Sequence, residues 1–337
     1  MSAPTVKFPP VPLNILECFT VEPPPLDFVW PGFLSGTVGA LVAPGATGKS
    51  FFAMETGMAV ACTVPGGDIL GIEPQAHGRV EYFSFEDPAN VLKNRLHHAL
   101  GKCITDPGAR GSIAENMSIW PCMGSLVDIV DPKVRDEIVK IGEGSRLLIF
   151  DTFTRIHQLE ENSNSDMSQV VASLENIAAR TGAAILFLHH TGKSATANGK
   201  VDDPGAGRGA SALVANSRWT GFLQKMTVEE ADELSDDPVS KNPVAERRNH
   251  FVRFGISKQN YGEEELDCWF RREMGGALLP VDLVAAEKTK EEIKRDVAPA
   301  SAGSGIRGRR GRSGERYGEP DEHEMGSAGR INDDDDF

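Results

Sequence analysis

The sequence lacks the marks of a membrane protein or of a disulfide-stabilised one. Its 337 residues contain no apolar run of about eighteen or more, the length that a membrane-spanning helix needs. Residues 1–10 carry one lysine and no apolar stretch, unlike a signal peptide. The five cysteines lie far apart without a Cys-x-x-Cys pair, which favours reduced thiols over disulfides or a zinc site. We therefore expect a cytoplasmic protein without membrane contact.

Basic residues are also scarce, but their distribution matters. The chain has 35 Lys and Arg residues but 49 Asp and Glu residues. The resulting formal net charge of −14 argues mildly against a large nucleic-acid-binding surface. Residues 318–337 hold eight acids and one arginine, about half of the excess negative charge. Residues 301–317 hold five arginines and one glutamate. The rest of the chain is only moderately acidic, so charge alone does not exclude nucleic acid.

Composition divides the chain into three parts. Residues 1–31 form a Pro-rich N-terminal arm with the hydrophobic anchors Phe28 and Trp30, which could pack on its own domain or on a neighbouring subunit. Residues 32–296 have the pattern of a folded domain. Residues 297–337 are Arg/Gly-rich and then acidic, a composition for which we expect disorder.

The main domain alternates short apolar runs with helical periods. Apolar runs between helices indicate a parallel sheet covered on both faces, so we predict a three-layer α/β fold with a mostly parallel central sheet. The predicted strands lie at 37–42, 79–85, 146–151 and 184–189, followed by antiparallel or meandering strands at 218–223, 251–257 and 266–271. The predicted helices lie at 49–63, 90–100, 134–141, 167–180 and 281–294.

Residues 43–50, Ala-Pro-Gly-Ala-Thr-Gly-Lys-Ser, follow a predicted strand and open a helix, which is the context of a phosphate-binding P-loop. Glycines let backbone amides turn towards phosphate oxygens, and the helix N-terminus adds positive potential. The predicted ATP-binding residues are Pro44, Gly45, Ala46, Thr47, Gly48, Lys49 and Ser50. Lys49 would reach the β- and γ-phosphates, and Ser50 would bind Mg²⁺. The alternative is a chance Gly-rich turn, which the flanking strand and helix disfavour.

Carboxylates follow two other predicted strands. Asp151 ends an apolar strand and is predicted to bind Mg²⁺ through water beside the P-loop. Glu86 follows another strand and is the candidate general base that orients the attacking water. The alternatives are structural: a strand-end aspartate can be a cap, and Asp87 before Pro88 can cap the next helix.

Two histidines, His189 and His190, end a further strand. Polar groups there could sense hydrolysis at the γ-phosphate, although histidines of this kind are more often structural. A shared metal is disfavoured, because adjacent side chains of a strand point to opposite faces.

These motifs recur in the order seen in a known family. Over about residues 30–280 the chain resembles the RepA hexameric replicative helicases of IncQ-type plasmids, and more broadly the RecA/DnaB superfamily. The resemblance lies in residues 33–45, 85–88, 151–152, 188–190, 208–211, 217–219 and 254–262.

The resemblance implies a RecA-like fold, a homo-hexameric ring, ATP sites between subunits and single-stranded DNA in the central channel. By this resemblance, Lys49 and Ser50 are the P-loop residues that bind phosphate and Mg²⁺, and Glu86 is the catalytic glutamate. Asp151 is the aspartate that binds Mg²⁺, and the two histidines lie on the strand that senses hydrolysis.

The resemblance also implies residues that act across the ring. Arg218 matches the arginine finger, with Arg208 as second choice, and Lys193 and Lys200 lie in the loop that would face DNA. Lys258 matches a residue that contacts the neighbour's nucleotide. Related bacterial helicases have an arginine two residues after this lysine, at the position where this chain has Asn260.

The C-terminal tail departs from the plasmid proteins. Residues 305–312 are an Arg/Gly segment of the kind that follows nucleic-acid backbones. Residues 333–336 are four aspartates before the terminal Phe337, similar to the tips of single-stranded-DNA-binding proteins. Such a tip predicts binding to a replisome protein, for example a polymerase, primase or SSB. The alternative is a solubilising tail.

Three functions fit these observations. The first is an ATP-dependent replicative DNA helicase of a phage or plasmid. The second is a RecA-like recombination or regulatory ATPase that binds DNA without unwinding it. The third is a non-enzymatic, nucleotide-gated clamp or loader, against which the pair Glu86 and Asp151 argues.

Overall fold

The structure is a computed structural model that describes residues 10–191, 210–262, 266–273 and 275–287. All of these residues belong to one compact unit. No helix among them is both long and apolar enough to cross a membrane. All five cysteines are free thiols.

The strands, in chain order, are β1 Phe28–Trp30, β2 Phe33–Leu34, β3 Val38–Ala43, β4 Arg79–Ser84, β5 Met117–Pro121, β6 Ser145–Asp151, β7 Ala184–His190, β8 Trp219–Lys225, β9 Leu234–Ser235, β10 Phe251–Gln259, β11 Asp267–Arg272, β12 Leu278–Pro280 and β13 Val284–Ala285. The helices are α1 Ile15–Thr20, α2 Lys49–Ala61, α3 Ala89–Arg95, α4 Gly101–Cys103, α5 Pro107–Asn116, α6 Pro132–Gly142, α7 Asn164–Thr181, α8 Ala210–Asn216 and α9 Val228–Glu233. A π-helical segment, Leu96–Leu100, joins α3 to α4.

The central sheet has nine strands in the order β12-β11-β10-β8-β3-β7-β6-β4-β5. The six strands from β8 to β5 are parallel to one another, and β10, β11 and β12 extend the sheet in antiparallel fashion. The predicted three-layer α/β fold with a mostly parallel sheet is confirmed. Of the three later strands predicted to be antiparallel or meandering, β10 and β11 are antiparallel to their neighbours, whereas β8 runs parallel to β3.

Strand β6 shows why its sequence forms the middle of this sheet. Leu147 and Ile149 belong to the apolar core on the α2 side, whereas Leu148 and Phe150 belong to the core on the α7 side. Side chains alternate between the faces of a strand, so an uninterrupted apolar run fits a sheet that is covered on both sides.

Helix boundaries follow local capping chemistry. The Asp131 side chain accepts a hydrogen bond from the Lys133 N–H, and Pro132 stands at the first position of α6. Helix α7 ends at Gly182, which has a left-handed conformation with φ of 74°. These helices then pack on the sheet through their apolar faces.

The predicted helix at 281–294 is wrong over its described part. Val284–Ala285 is a strand, β13, that pairs with β9. The segment Val-Asp-Leu-Val-Ala-Ala-Glu has helical composition, but a long-range pairing decides its conformation. Sequence reasoning also missed α1 and the edge strand β5.

The parallel topology decides where polar side chains meet. Strands β3, β4, β6 and β7 all end at the same edge of the sheet, called here the carboxyl edge. The P-loop follows β3, Glu86 follows β4, Asp151 ends β6 and His190 ends β7. In open α/β sheets this edge is where ligands bind.

Candidate nucleotide-binding site

The P-loop folds tightly between β3 and α2. Gly48 has a φ of +111°, and a Cβ atom there would lie 3.3 Å from Arg272 Nη2. The Thr47 hydroxyl donates a 2.7 Å hydrogen bond to the Pro44 carbonyl. The left-handed conformation at Gly48 thus turns the chain into α2, whose first N–H groups have no acceptor within the helix.

The ammonium group of Lys49 lies at the centre of the site. It donates to the carbonyls of Ala43 and Pro44, at 2.9 and 3.1 Å, and lies 3.0 Å from His190 Nδ1. The side chain is buried, and burial lowers its pKa to about 8 against the opposing charges of Asp151 and Glu86. Near neutral pH the group is therefore a cation held in a site that favours a negative ligand.

Asp151 lies buried at the end of β6. The Tyr82 hydroxyl donates a 2.6 Å hydrogen bond to Asp151 Oδ2. Burial raises the pKa of the carboxyl group, while hydrogen bonds from Tyr82 and Ser50 oppose that change. The neighbouring oxygens of Ser50 and Asp151 are hard donors of the kind that Mg²⁺ prefers, so these two residues fit a magnesium ion.

His190 connects the lysine to Glu86. Its Nδ1 atom faces Lys49, and its Nε2 atom lies 3.9 Å from Glu86 Oε1. Burial and the charge of Lys49 lower the histidine pKa, so the ring is neutral near pH 7. Glu86 itself is 42% exposed, which leaves its carboxylate open to water.

His189 lies on the opposite face of β7. Its ring packs edge-on against Phe153 at 5.8 Å, and burial lowers its pKa to about 4. The structure therefore brings His190 to the pocket but not His189. Because the two side chains alternate along the strand, only one of them can reach a ligand at this edge.

Two arginines that the motifs did not single out also line the pocket. Arg95, from α3, pairs with Asp87 and lies 5.4 Å from the centre of the Phe51 ring. Arg272, from β11, donates a 2.6 Å hydrogen bond to the Thr47 carbonyl. Arg95 lies shortly after residues 85–88, Phe-Glu-Asp-Pro, so the sequence alone could have indicated that it lies near the site. Arg272 lies far away in sequence, and only the fold brings it to the P-loop.

The resulting cavity has a volume of about 280 Å³. All five P-loop residues from Ala46 to Ser50 line it, together with Glu86, Asp151, His190 and the two arginines. The volume is close to the lower end of the range of small-molecule sites, and the lining is polar around the P-loop. The residues present thus fit a triphosphate with a magnesium ion.

Arg218, the predicted arginine finger, does not lie at this cavity. Its N–H donates to the Val38 carbonyl at the first residue of β3, and its side chain is exposed. At a rise of about 3.3 Å per residue, Arg218 is roughly 17 Å from the end of β3 where the P-loop begins. It sits at the opposite edge of the sheet, called here the amino edge.

Lys258 lies near Arg218, and burial, together with the charge of Arg218, lowers the pKa of the lysine. Its ammonium donates to the carbonyls of Val214 and Ala215, at 3.1 and 2.7 Å. Arg208, Lys193, Lys200 and the tail that ends in Phe337 lie outside the described residues.

Comparisons with known proteins identify the fold and the family of this chain. The chain is similar to a solved structure described as an ATPase domain at 14% identity, covering 80% of this chain and 96% of that one, with a TM-score of 0.52. It is also similar to a DnaB-like replicative helicase solved for its interactions with primase, at 14% identity, 79% and 64% coverage and a TM-score of 0.52. At such identities the likeness establishes the fold, which is RecA-like as predicted. Residues 2–196 match the AAA domain family, and because this match spans more than half of the sequence, the chain belongs to that family.

Proposed function

We propose that this protein is an ATP-dependent replicative DNA helicase that assembles as a homo-hexameric ring and moves along single-stranded DNA. The observation that carries the proposal is the convergence of Lys49, Asp151, Glu86 and His190 on one cavity at the P-loop. Membership of the AAA domain family supports the ATP-hydrolysing part.

The chemistry follows from the positions of these side chains. Lys49 and the P-loop amides would bind the phosphates, and Ser50 and Asp151 would hold a magnesium ion, whose positive charge would offset the charge of the phosphate oxygens. Glu86, open to water at the pocket mouth, orients the attacking water and accepts its proton. His190 lies between Lys49 and Glu86, so loss of the γ-phosphate would change the contacts of its side chain. Because His190 ends β7, that change would also affect the residues that follow this strand.

Ring assembly is supported by the place of Arg218. Within one chain this residue is too far from the P-loop to touch the nucleotide. A second copy that brings its amino edge against this carboxyl edge would supply the guanidinium that stabilises charge during phosphoryl transfer. ATP sites between subunits require such an arrangement.

The DNA and partner assignments rest on sequence resemblance. The likeness to plasmid RepA helicases, and the fold shared with a DnaB-like replicative helicase, support unwinding as the use of ATP hydrolysis. Lys193 and Lys200 are proposed to face the DNA strand, with Arg208 as second candidate for the finger. The acidic tip that ends in Phe337 is proposed to bind a replisome protein. The protein is proposed to work in the cytoplasm.

The decisive experiment measures ATP hydrolysis and strand displacement together. Wild-type protein should displace a strand from a tailed duplex with ATP and Mg²⁺, and Lys49→Ala should abolish both activities. Lys140→Ala removes an exposed lysine that pairs with Glu137, so it is a matched control that should retain both activities. DNA-stimulated hydrolysis without displacement would favour the recombination or regulatory ATPase, and failure to bind any nucleoside triphosphate would refute the proposal.

A further inference from the structure

The core of the domain contains a carboxyl group that the proposed chemistry does not use. Glu55 lies on α2, six residues after Lys49, and its side chain is completely buried. Burial raises the pKa of this carboxyl group well above its usual range, which favours the neutral acid. Its Oε2 atom has no hydrogen-bond partner among the residues that the structure describes. Because a polar group in the core costs stability unless it is paired, packing alone does not explain a glutamate here.

The other carboxyl oxygen of Glu55 holds a distant part of the chain. Glu55 Oε1 accepts a 2.9 Å hydrogen bond from the N–H of Leu278, the first residue of β12. The described residues between β11 and β12, which are 273 and 275–277, are called here the β11–β12 turn. Within it, the Gly276 N–H donates a 3.0 Å hydrogen bond to the Glu273 carbonyl. Glu55 therefore ties the end of this turn to the helix that follows the P-loop.

The β11–β12 turn packs closely against α2 and the P-loop. Gly276 has a φ of +106°, and a Cβ atom there would lie 2.5 Å from the Phe51 ring. The Leu278 side chain lies beside the P-loop, since a Cβ atom at Gly48 would lie 3.5 Å from Leu278 Cδ1. Close-packed interiors transmit small shifts, so movement of Leu278 away from α2 would disturb the contacts of both the turn and the P-loop.

The same turn forms one wall of the nucleotide cavity. Arg272, immediately before the turn, donates a 2.6 Å hydrogen bond from Nη2 to the Thr47 carbonyl. Arg272 and Gly276 both line the cavity, whereas Glu55 does not. We infer that Glu55 is a positioning residue, which holds the β11–β12 turn against α2 so that Arg272 and Gly276 face the bound nucleotide. This inference rests on the proposed nucleotide site.

The geometry requires a hydrogen-bond acceptor at residue 55 and not a charge. The amide oxygen of glutamine can accept the same N–H, whereas methionine has a similar length and no oxygen. Glu55→Gln should therefore behave like the wild-type protein, and Glu55→Met should lose the contact with Leu278. Glu55→Ala is a second variant without an acceptor, and it replaces Glu55→Met if circular dichroism shows that Glu55→Met does not fold.

Hydrogen exchange measures this contact in the full-length protein without nucleotide. Amide exchange over residues 275–280 should be about fivefold faster in Glu55→Met than in the wild-type protein, because one hydrogen bond of typical net strength is lost. Glu55→Gln should exchange at the wild-type rate. Unchanged exchange in the folded variant without an acceptor would overturn the inference, and so would fast exchange in Glu55→Gln.

Kinetics separate positioning from a purely structural role. In Glu55→Met, KM for ATP and Kd for a non-hydrolysable analogue should both rise about fivefold, while kcat changes by less than about twofold, because Lys49 and Glu86 are held by other contacts. Met58→Ala truncates another buried side chain of α2 but keeps Glu55, so it is the matched control and should leave these constants unchanged. A wild-type KM in Glu55→Met, or an equal rise of KM in Met58→Ala, would overturn the positioning role.

A double variant tests whether Glu55 acts through Arg272. Arg272→Ala alone should weaken binding of the analogue, because it removes a guanidinium from the cavity wall. Addition of Glu55→Met should then weaken binding by less than about twofold more, since the residue that Glu55 positions is already absent. Losses that multiply would overturn this route.

These outcomes are distinguishable from a failure of the proposed function. A wild-type protein that binds no nucleoside triphosphate would refute the proposed function, and with it the role of the turn at a nucleotide. Normal nucleotide binding together with unchanged exchange in Glu55→Met would overturn only the inference about Glu55.

Discussion

The two edges of the parallel sheet differ in what they carry. The carboxyl edge gathers a buried lysine, a buried aspartate and a half-exposed glutamate around the P-loop. The amino edge presents the exposed Arg218, with Lys258 nearby. One chain therefore separates a phosphate-binding site from a cation that could complete it. The difference teaches that the proposed arginine finger would have to reach the P-loop of another copy, through contact between unlike edges.

The largest expected effect comes from the amino edge. Arg218→Ala should lower kcat for ATP hydrolysis by about 10³- to 10⁵-fold, because it would remove the guanidinium proposed to stabilise charge on the transferring phosphoryl group. Binding of a non-hydrolysable ATP analogue should persist, measured by fluorescence titration. Arg180→Ala, whose arginine pairs with Asp136 on the surface, is the matched control and should leave kcat unchanged.

Mixing variants sharpens this test. Chains with Arg218→Ala and chains with Lys49→Ala should each be inactive, but a mixed assembly would contain some interfaces with an intact lysine and an intact arginine. Hydrolysis should therefore return in part on mixing. If it does not return although the chains co-assemble, Arg218 does not act across an interface.

A smaller effect is expected at the carboxyl edge. Glu86→Gln keeps the size of the side chain but cannot accept a proton, so kcat should fall by about 10²- to 10⁴-fold. Affinity for the ATP analogue should change little. Glu175→Gln, at an exposed position on α7, is the control. Near-normal hydrolysis by Glu86→Gln would assign the general base to another group.

The smallest effect is a pH dependence of binding. The pKa of Lys49 is lowered to about 8 in the free chain, so the ammonium loses its proton as the pH rises through that value. Binding a phosphate group favours the protonated form, so affinity for the ATP analogue should fall by about fivefold from pH 8 to pH 9. His190 has a lowered pKa and stays neutral across this range.

Lys49→Arg removes the titrating group while keeping a cation. Its affinity, whatever its absolute value, should be nearly independent of pH between 7 and 9, as isothermal titration would show. An equal slope in both proteins would mean that a group other than Lys49 controls binding.

Local patterns predicted much of this site. The P-loop, the strand-end carboxylates and His190 lie in or directly beside strands with uninterrupted apolar sequences. Parallel strands share one edge, so their order along the chain was enough to predict that these side chains meet. The alternation of side chains in a strand also predicted that the two histidines would separate.

Arg272 and β13 could not be predicted in the same way. Arg272 reaches the P-loop because β11 is joined to the parallel strands through β10 and β8. β13 forms only because β9 is available as a partner. Both depend on pairings between segments far apart in sequence, which local propensity does not encode.

By itself the sequence determined the strand and helix periods, the phosphate-binding loop and the identity of the carboxylates, because each depends on neighbours in the chain. Only the tertiary structure decided that Arg95 and Arg272 share the nucleotide cavity and that Arg218 lies at the opposite edge of the sheet. These features depend on which surfaces the fold buries and which distant strands it pairs.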